Sequence, residues 1–322
     1  MLNQIKSMLF VVTVVFSLTA DSLSTLLFFR PDGEIFDQTV LSMQNEFEGA
    51  FDMEQMLISK ETSPIEIRQK LQTCSPRAVV LMGNRAIWLY SRFVHENKEK
   101  ENIPVVALLA SQVSAAVKSL GSVNGIEYET PMVTALVRFR NVIGKPVNSV
   151  GVVYRDVFKD FVETHTVYCN REKITVKSIM IDNREKNYRK ELNKKIKQLI
   201  VTEHVDAFWI PNDNKLLTPE LLQAVWIPLF IKYKIPVIVG VESLVNPEMN
   251  FGTFAVIPEP AGMGTQAAQL IFDLEQSGWS FGANRIFPAI SVYSVLNAEK
   301  FTYAEMNRLN LKEVSKVVQL KK

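Results

Sequence analysis

The chain has 322 residues, 47% of them hydrophobic, enough to bury substantial cores, and at roughly 100–200 residues per domain two domains are the starting expectation. Lys and Arg number 36 against 34 for Asp and Glu, a formal charge of +2. So weak a field excludes nucleic acid as the expected partner and directs attention to local sites.

In chain order, Lys6 precedes the apolar run "MLFVVTVVFSLTA", which is too short and too soon interrupted by Asp21 for a membrane span and reads as a secretory signal over residues 1–22. Ala20-Asp21-Ser22 supplies the small-x-small pattern of a cleavage site. Removing 1–22 takes away one Lys and one Asp, so the charge stays at +2. Beyond it, β-rich runs alternate with segments of helical period. The runs are "STLLFFR", "MEQMLIS", "RAVVLMG", "IPVVALLA", "SVGVVYRD", "ITVKSIMI", "DAFWIPN" and "IPVIVGVE". Continuous apolar strands separated by helices imply parallel sheets covered on both faces, an α/β fold.

Tyr188, Leu192, Ile196, Leu199 and Ile200 recur at helical spacing among Arg184, Lys186, Lys190, Lys194, Lys195 and Lys197, a helix with a solvated basic face. Thr218-Pro219 is a good helix start, and Pro228 should kink or break the apolar helix that follows. The stretch from Arg77 to Gln112 echoes that from Asp206 to Ser243. Each reads strand, polar loop, helix, Ile-Pro, strand, Ser-containing loop, which predicts two similar Rossmann-like lobes. The first would hold residues 23–145 plus 257–290 and the second 146–256 plus 291–322, with hinges at 129–145, 256–259 and 290–293. Cys74 and Cys169 then fall in different lobes and are expected to be free and buried.

In open parallel sheets, ligands collect beyond the carboxyl ends of the strands, where loops project side chains and helices present free N–H groups. The candidates there are Arg30, Asn84, Ser111 and Gln112 in the first lobe. In the second they are Tyr154, Arg155, Asp156, Asn212, Asp213, Asn214, Glu242 and Ser243. Asp213 and Glu242 could accept from an ammonium or hydroxyl, and Arg30 and Arg155 could hold an anion, a mixture suited to a small zwitterion such as an amino acid. Turn capping competes for Asp213 and Asn214, and salt bridging competes for the two arginines. On the ligand reading, replacing Asp213 by Ala should abolish the response to solute and leave the unliganded melting temperature nearly unchanged.

Enzyme signatures are missing: the sequence has no G-x-S-x-G elbow, no G-x-x-x-x-G-K-[ST] loop and no G-x-G-x-x-G after the first strand,. His95, His165 and His204 stand apart from one another and from any cysteine pair, without zinc spacing or a nucleophile–base arrangement,. No enzyme activity, metal or cofactor is therefore expected.

The segments "NGIEYETP" (Asn124 to Pro131), "VGVVYRD" (Val150 to Asp156), "DAFWIPNDN" (Asp206 to Asn214) and "KIPVIVGVES" (Lys234 to Ser243) resemble, in order and context, the ABC-transporter substrate-binding protein family that includes tryptophan/tyrosine-binding components. The resemblance runs from about the third strand to the final one, "ISVYSVLNA". It implies a type I periplasmic-binding-protein fold in which two lobes, joined by hinge strands, close on a small solute. It also implies a periplasmic location and delivery of the solute to ABC permease membrane subunits. Carried over by motif, Tyr128, Tyr154, Asp213, Asn214 and Glu242 fall on or beside the family's cleft. The chain departs from the family pattern at "PEPAG", where relatives commonly carry an Asp-Tyr-Tyr-like stretch, so Glu259 and Pro260 would build a different pocket. "ALLASQV" likewise stands where many relatives have a Thr-Asp pair. Two alternatives stay open: a solute sensor that signals to a receptor or kinase, and a secreted enzyme using Asp213 with Glu242.

Overall fold

A computed structural model describes residues 23–96 and 103–320; the secretory signal expected over 1–22 lies outside the described residues. The first part of the chain alternates strand and helix. It runs β1 (Ser24–Arg30), α1 (Glu34–Phe47), β2 (Phe51–Leu57), α2 (Pro64–Cys74), β3 (Ala78–Met82), α3 (Asn84–Glu96), β4 (Val105–Leu108), α4 (Val113–Ala116) and β5 (Val123–Glu127). After α5 (Met132–Ile143) come β6 (Ser149–Arg155), α6 (Lys159–Arg171), β7 (Thr175–Ile181), α7 (Tyr188–Lys197), β8 (Ala207–Ile210), α8 (Pro219–Leu221), α9 (Ile227–Tyr233), β9 (Val237–Val239) and β10 (Phe254–Pro258). The chain ends with α10 (Pro260–Gln276), β11 (Arg285–Pro288), β12 (Val292–Asn297), α11 (Tyr303–Met306) and β13 (Lys316–Val318).

These strands form two sheets. The first has the order β11-β5-β4-β3-β1-β2 and is parallel throughout. The second, β13-β12-β10-β9-β8-β6-β7, is parallel except where β12 runs against β10. Strand side chains alternate between faces, so each sheet feeds two cores. Leu26 and Phe28 pack on one side of the first sheet and Leu27 and Phe29 on the other. Phe208 and Ile210 oppose Ala207 and Trp209 in the same way in the second. Each buried Leu, Ile or Phe among them contributes about 1.5–3 kcal/mol, which explains why the strands read as unbroken apolar runs.

The chain passes between the sheets three times: from β5 to β6, from β10 to α10, and from β11 to β12. After the second passage α10 packs on α1, where Thr39 and Ser42 hydroxyls donate to the carbonyls of Pro260 (3.1 Å) and Ala261 (2.8 Å). The first passage differs from the sequence boundary. Helix α5, assigned to the first lobe by the limit at 145, turns Met132, Leu136, Phe139 and Val142 into the core of the second sheet.

The two echoing stretches are the β-α-β units β3-α3-β4 and β8-α8-α9-β9, each with its strands paired in parallel. Thr218 caps the second helix by accepting from the Leu221 amide. Pro228 does not break this helix, because a π-helical turn over Leu222–Trp226 joins α8 to α9. A wider turn re-registers the hydrogen-bond ladder and so absorbs the amide that proline lacks. Strands β5, β10, β11 and β13 have no counterpart among the runs picked out from sequence. Asn124 and Gly125 interrupt the apolar pattern of β5, and β11 and β13 are short, partly exposed edge strands. Cys74 and Cys169 are both free, as expected, although only Cys169 is fully buried.

Candidate functional site

The loops at the carboxyl ends of the strands carry two polar networks. In the first lobe, Asn84 opens α3 and exchanges two hydrogen bonds with Ser111: its amide donates to the Ser111 carbonyl (2.8 Å) and its oxygen accepts from the Ser111 N–H (2.9 Å). The Ser111 hydroxyl donates to Glu129 (2.6 Å), whose two carboxylate oxygens also receive the Gln112 amide at 3.1 and 3.0 Å. Gln112 holds a left-handed backbone, φ 51°, which aims that amide at the carboxylate. Next to it, Glu127 takes the Val113 amide (3.0 Å) and the Ser114 hydroxyl (2.7 Å). Glu129 is 4% exposed. Burial raises its proton affinity above the ordinary carboxylate range, against the opposing pull of Ser111 and Gln112,. Burial and the charge of Glu129 together push the neighbouring Tyr128 hydroxyl up.

In the second lobe, strand alternation separates two predicted contacts. Tyr154 faces the core under α5 and α6, beside Val150, Val152 and Phe158. Arg155, one residue on, takes the other face and meets Asp213. The Arg155 Nε donates to both carboxylate oxygens (3.0 and 2.7 Å), Nη2 adds a third bond at 2.8 Å, and Nη1 donates to Asn183 (3.1 Å). Asp213 is 1% exposed and also caps its own turn by accepting the Lys215 amide (2.9 Å). Its carboxylate is therefore occupied by protein, and the ion-pair and capping roles weighed from sequence are both realised. Asn212 and Asn214 flank it, the first half-buried and the second exposed. The Asn212 side chain lies against Gly240, where a Cβ would come within 2.9 Å of its amide and force it to shift.

Glu242 follows β9 and accepts from the Tyr293 hydroxyl (2.7 Å) and from Lys316 (2.5 Å). Burial raises the Glu242 carboxyl, but these two partners outweigh it and hold the group below its usual range. Tyr293 is pushed up by burial, then by Glu242 and by its neighbour Tyr128. Glu259 is exposed and ties the second passage to the third: its amide donates to the Ser291 carbonyl (3.0 Å), and the Ser291 hydroxyl donates to its carboxylate (2.5 Å). Gly262 makes this possible, since a Cβ there would fall 2.4 Å from that of Ser291.

Arg30 stands apart from these networks. It pairs with Asp37 (2.8 Å) and donates to Gln55 (2.8 Å) and the Pro31 carbonyl (3.1 Å), a local ion pair near the edge strand β2. Asp156 and Ser243 are exposed.

Sequence reasoning missed Glu129, Thr130, Asn183, Tyr293 and Lys316 as members of the site. Glu129 had little signal, because Asn124 and Gly125 keep the strand before it from reading as an apolar run, and Lys316 lies 74 residues from Glu242 with nothing local to connect them. Three buried polar atoms at these strand ends have no hydrogen-bond partner within the protein: Gln112 Nε2, Thr130 Oγ1 and Asn212 Oδ1. Such atoms are costly when left unpaired. Among the described residues no group of three His, Cys, Asp or Glu is placed to hold a metal, and no helix is long and apolar enough to cross a membrane.

No protein-family model matches the chain, and no curated protein matches it in sequence. Solved structures do match in shape along nearly its whole length. A substrate-binding protein with adhesive properties from Clostridium difficile, in a ligand-free, open structure, aligns with a TM-score of 0.66 at 15% identity, covering 93% of this chain and 100% of that one. An ABC domain from Streptococcus pneumonia in complex with L-Trp gives 0.54 at 17% identity, covering 92% and 100%. A glucose-galactose binding protein from Geobacillus stearothermophilus gives 0.50 at 11%, covering 85% and 98%. Two parallel sheets, three passages between them and these neighbours together identify the fold as that of the type I periplasmic binding proteins.

Proposed function

We propose that the chain captures a small solute between its two lobes, outside the cytoplasm, and delivers it to the membrane subunits of an ABC-type permease. The observation that carries this reading is the set of unpartnered polar atoms on Gln112, Thr130 and Asn212, drawn from the strand ends of both sheets. A solute with donors and acceptors of its own would satisfy them, and contacts made to both lobes at once would favour a closed arrangement.

On this reading Asn84, Ser111 and Tyr128 meet the solute from the first lobe, and Asn212, Asn214 and Glu242 meet it from the second. Glu259 acts at the hinge through Ser291. Arg155 and Asp213 shape the second rim, and Arg30, tied to Asp37, serves the outer edge. The sequence pointed to a small zwitterion, and the pairing of Glu242 with Lys316 keeps both signs of charge at the second rim for it.

The test is a thermal-shift screen of residues 23–322 against amino acids, nucleosides, sugars and carboxylates, followed by small-angle scattering. A solute that raises the melting temperature should also reduce the radius of gyration, and Asn212→Ala should weaken its binding tenfold or more. Binding without compaction, or undiminished binding in the folded Asn212 variant, overturns the proposal.

A further inference from the structure

A cavity of 750 Å³ opens at the opposite end of the second sheet. Its floor is made by residues just before the strands: Val147 ahead of β6, Asp206 ahead of β8, Pro236 ahead of β9 and Thr253 ahead of β10. These strands run parallel, so the cavity lies a strand length, on the order of 20 Å, from the networks at the carboxyl ends. The size suits a small organic molecule, for which pockets of about 300–1,000 Å³ are usual.

The walls divide by chemistry. Phe139, Phe230, Ile235, Pro236, Phe301 and Leu309 form an apolar lining, and four cations (Lys145, Lys234, Lys300 and Arg308) stand against three carboxylates. The carboxylates are already served by the protein. Asp206 accepts the Asn148 and Ser149 amides at 2.8 and 2.9 Å, Glu305 takes the Thr302 amide and hydroxyl at 2.8 and 2.9 Å, and Glu299 takes the Leu320 amide at 3.2 Å. Lys300 donates to the Asn250 carbonyl and side chain at 2.8 and 2.7 Å. That leaves Lys145, Lys234 and Arg308 without a salt bridge among the described residues, although Lys145 and Lys234 lie near enough to Glu305 to help Thr302 hold its carboxyl below the usual range.

The cavity is also built in advance of any ligand. The segment carrying Phe301, Arg308 and Leu309 is pinned to α5 by the Asn310 amide, which donates to the Val142 carbonyl (2.8 Å). Lys300 fixes the same segment to the turn at Asn250. A preformed wall lowers the ordering cost of binding.

We infer that this cavity is a second ligand site, separate from the interlobe one, for an amphipathic organic anion. An apolar chain or ring would lie on the aromatic and proline lining, and a carboxylate or phosphate head would be held by Lys145, Lys234 and Arg308. Both heads suit three cations, arginine by paired bonds and the lysines as point charges.

The probes are decanoate and decyl phosphate, which separate the two head groups, with decyltrimethylammonium as the charge-reversed control. Calorimetry on residues 23–322 without any other solute should give one-to-one binding of at least one anion and none of the cation. The double variant Lys234→Gln with Arg308→Gln, which removes the charges without setting a new acid beside Glu305, should lose tenfold or more in affinity while remaining folded, because neither side chain forms a salt bridge in the parent. Should that variant misfold, Arg308→Ala alone is expected to lose several-fold. Equal binding of the cation, no binding of either anion at millimolar concentration, or unchanged affinity in a folded variant overturns the inference. Because the measurement uses no cleft solute, its result is independent of the transport reading.

Discussion

Both lobes bury a carboxylate at the carboxyl end of their sheet, and they do it in opposite ways. The second lobe places Asp213 against the guanidinium of Arg155, with three bonds between 2.7 and 3.0 Å. The first lobe buries Glu129 with a serine hydroxyl and a backbone amide and no cation. The difference is one of what each group can do. An acid locked to an arginine fixes geometry, whereas an acid held only by neutral donors keeps a raised proton affinity and can change charge,.

The largest effect should come from breaking the second rim. Asp213→Ala leaves the Arg155 guanidinium, itself only 9% exposed, without its partner, and losing one member of a buried pair typically costs about 3–5 kcal/mol. Urea denaturation of the unliganded protein measures it. The earlier sequence expectation, a variant that loses solute and keeps its melting temperature, is replaced by this one. The double change Asp213→Leu with Arg155→Met should recover most of the loss, since replacing a buried pair by apolar groups is often neutral. A single variant as stable as the parent would show that the pair contributes nothing.

That correction marks where the sequence stops being legible. Apolar runs such as "RAVVLM" and "DAFWIP" exposed the strands, because a parallel sheet covered on both faces needs unbroken apolar strands. Their polar ends exposed the candidate rim by the same logic. The direction of each side chain was not legible. Tyr154 and Arg155 are adjacent, yet one enters the core and the other meets Asp213, and only the strand's register decides which. Long-range partners such as Glu242 with Lys316 were equally hidden. The packing of α5 was hidden for a related reason: its apolar stripe shows that it packs, but not on which sheet.

A third group, half-buried, completes the contrast, having neither a cation nor neutral donors. His165 on α6 lies against Phe161, ring centroids 4.0 Å apart, and its Nδ1 has no hydrogen-bond partner. Burial lowers its pKa from 6.5 to about 4. A folded-state value below the unfolded one means that the unfolded chain takes up the proton first. The contribution to stability is therefore intact above 6.5 and is lost as pH falls toward 4,. The loss should reach about 2 kcal/mol, at roughly 1.4 kcal/mol per tenfold difference in proton affinity and allowing for partial exposure. His165→Phe should flatten the dependence of melting temperature on pH across that window. An unchanged slope would mean that His165 titrates normally.

Glu129 should show the smallest effect and the opposite slope. Its folded-state pKa lies above the ordinary 4.5, so here the folded protein takes up the proton first. The stabilisation from that uptake is complete below 4.5 and disappears as pH rises through the folded value,. At neutral pH the buried charge is a cost, and Glu129→Gln, which keeps an acceptor for Ser111, should be within about 1 kcal/mol of the parent. As pH falls to 4.5 the parent should gain on the variant, whereas His165 works against the parent over the same range. Measuring both variants and their combination by urea denaturation at pH 7 and 4.5 separates the two slopes. If Glu129→Gln instead costs several kcal/mol at pH 7, as a broken ion pair does, the first rim holds its acid as firmly as the second and the contrast between the lobes fails.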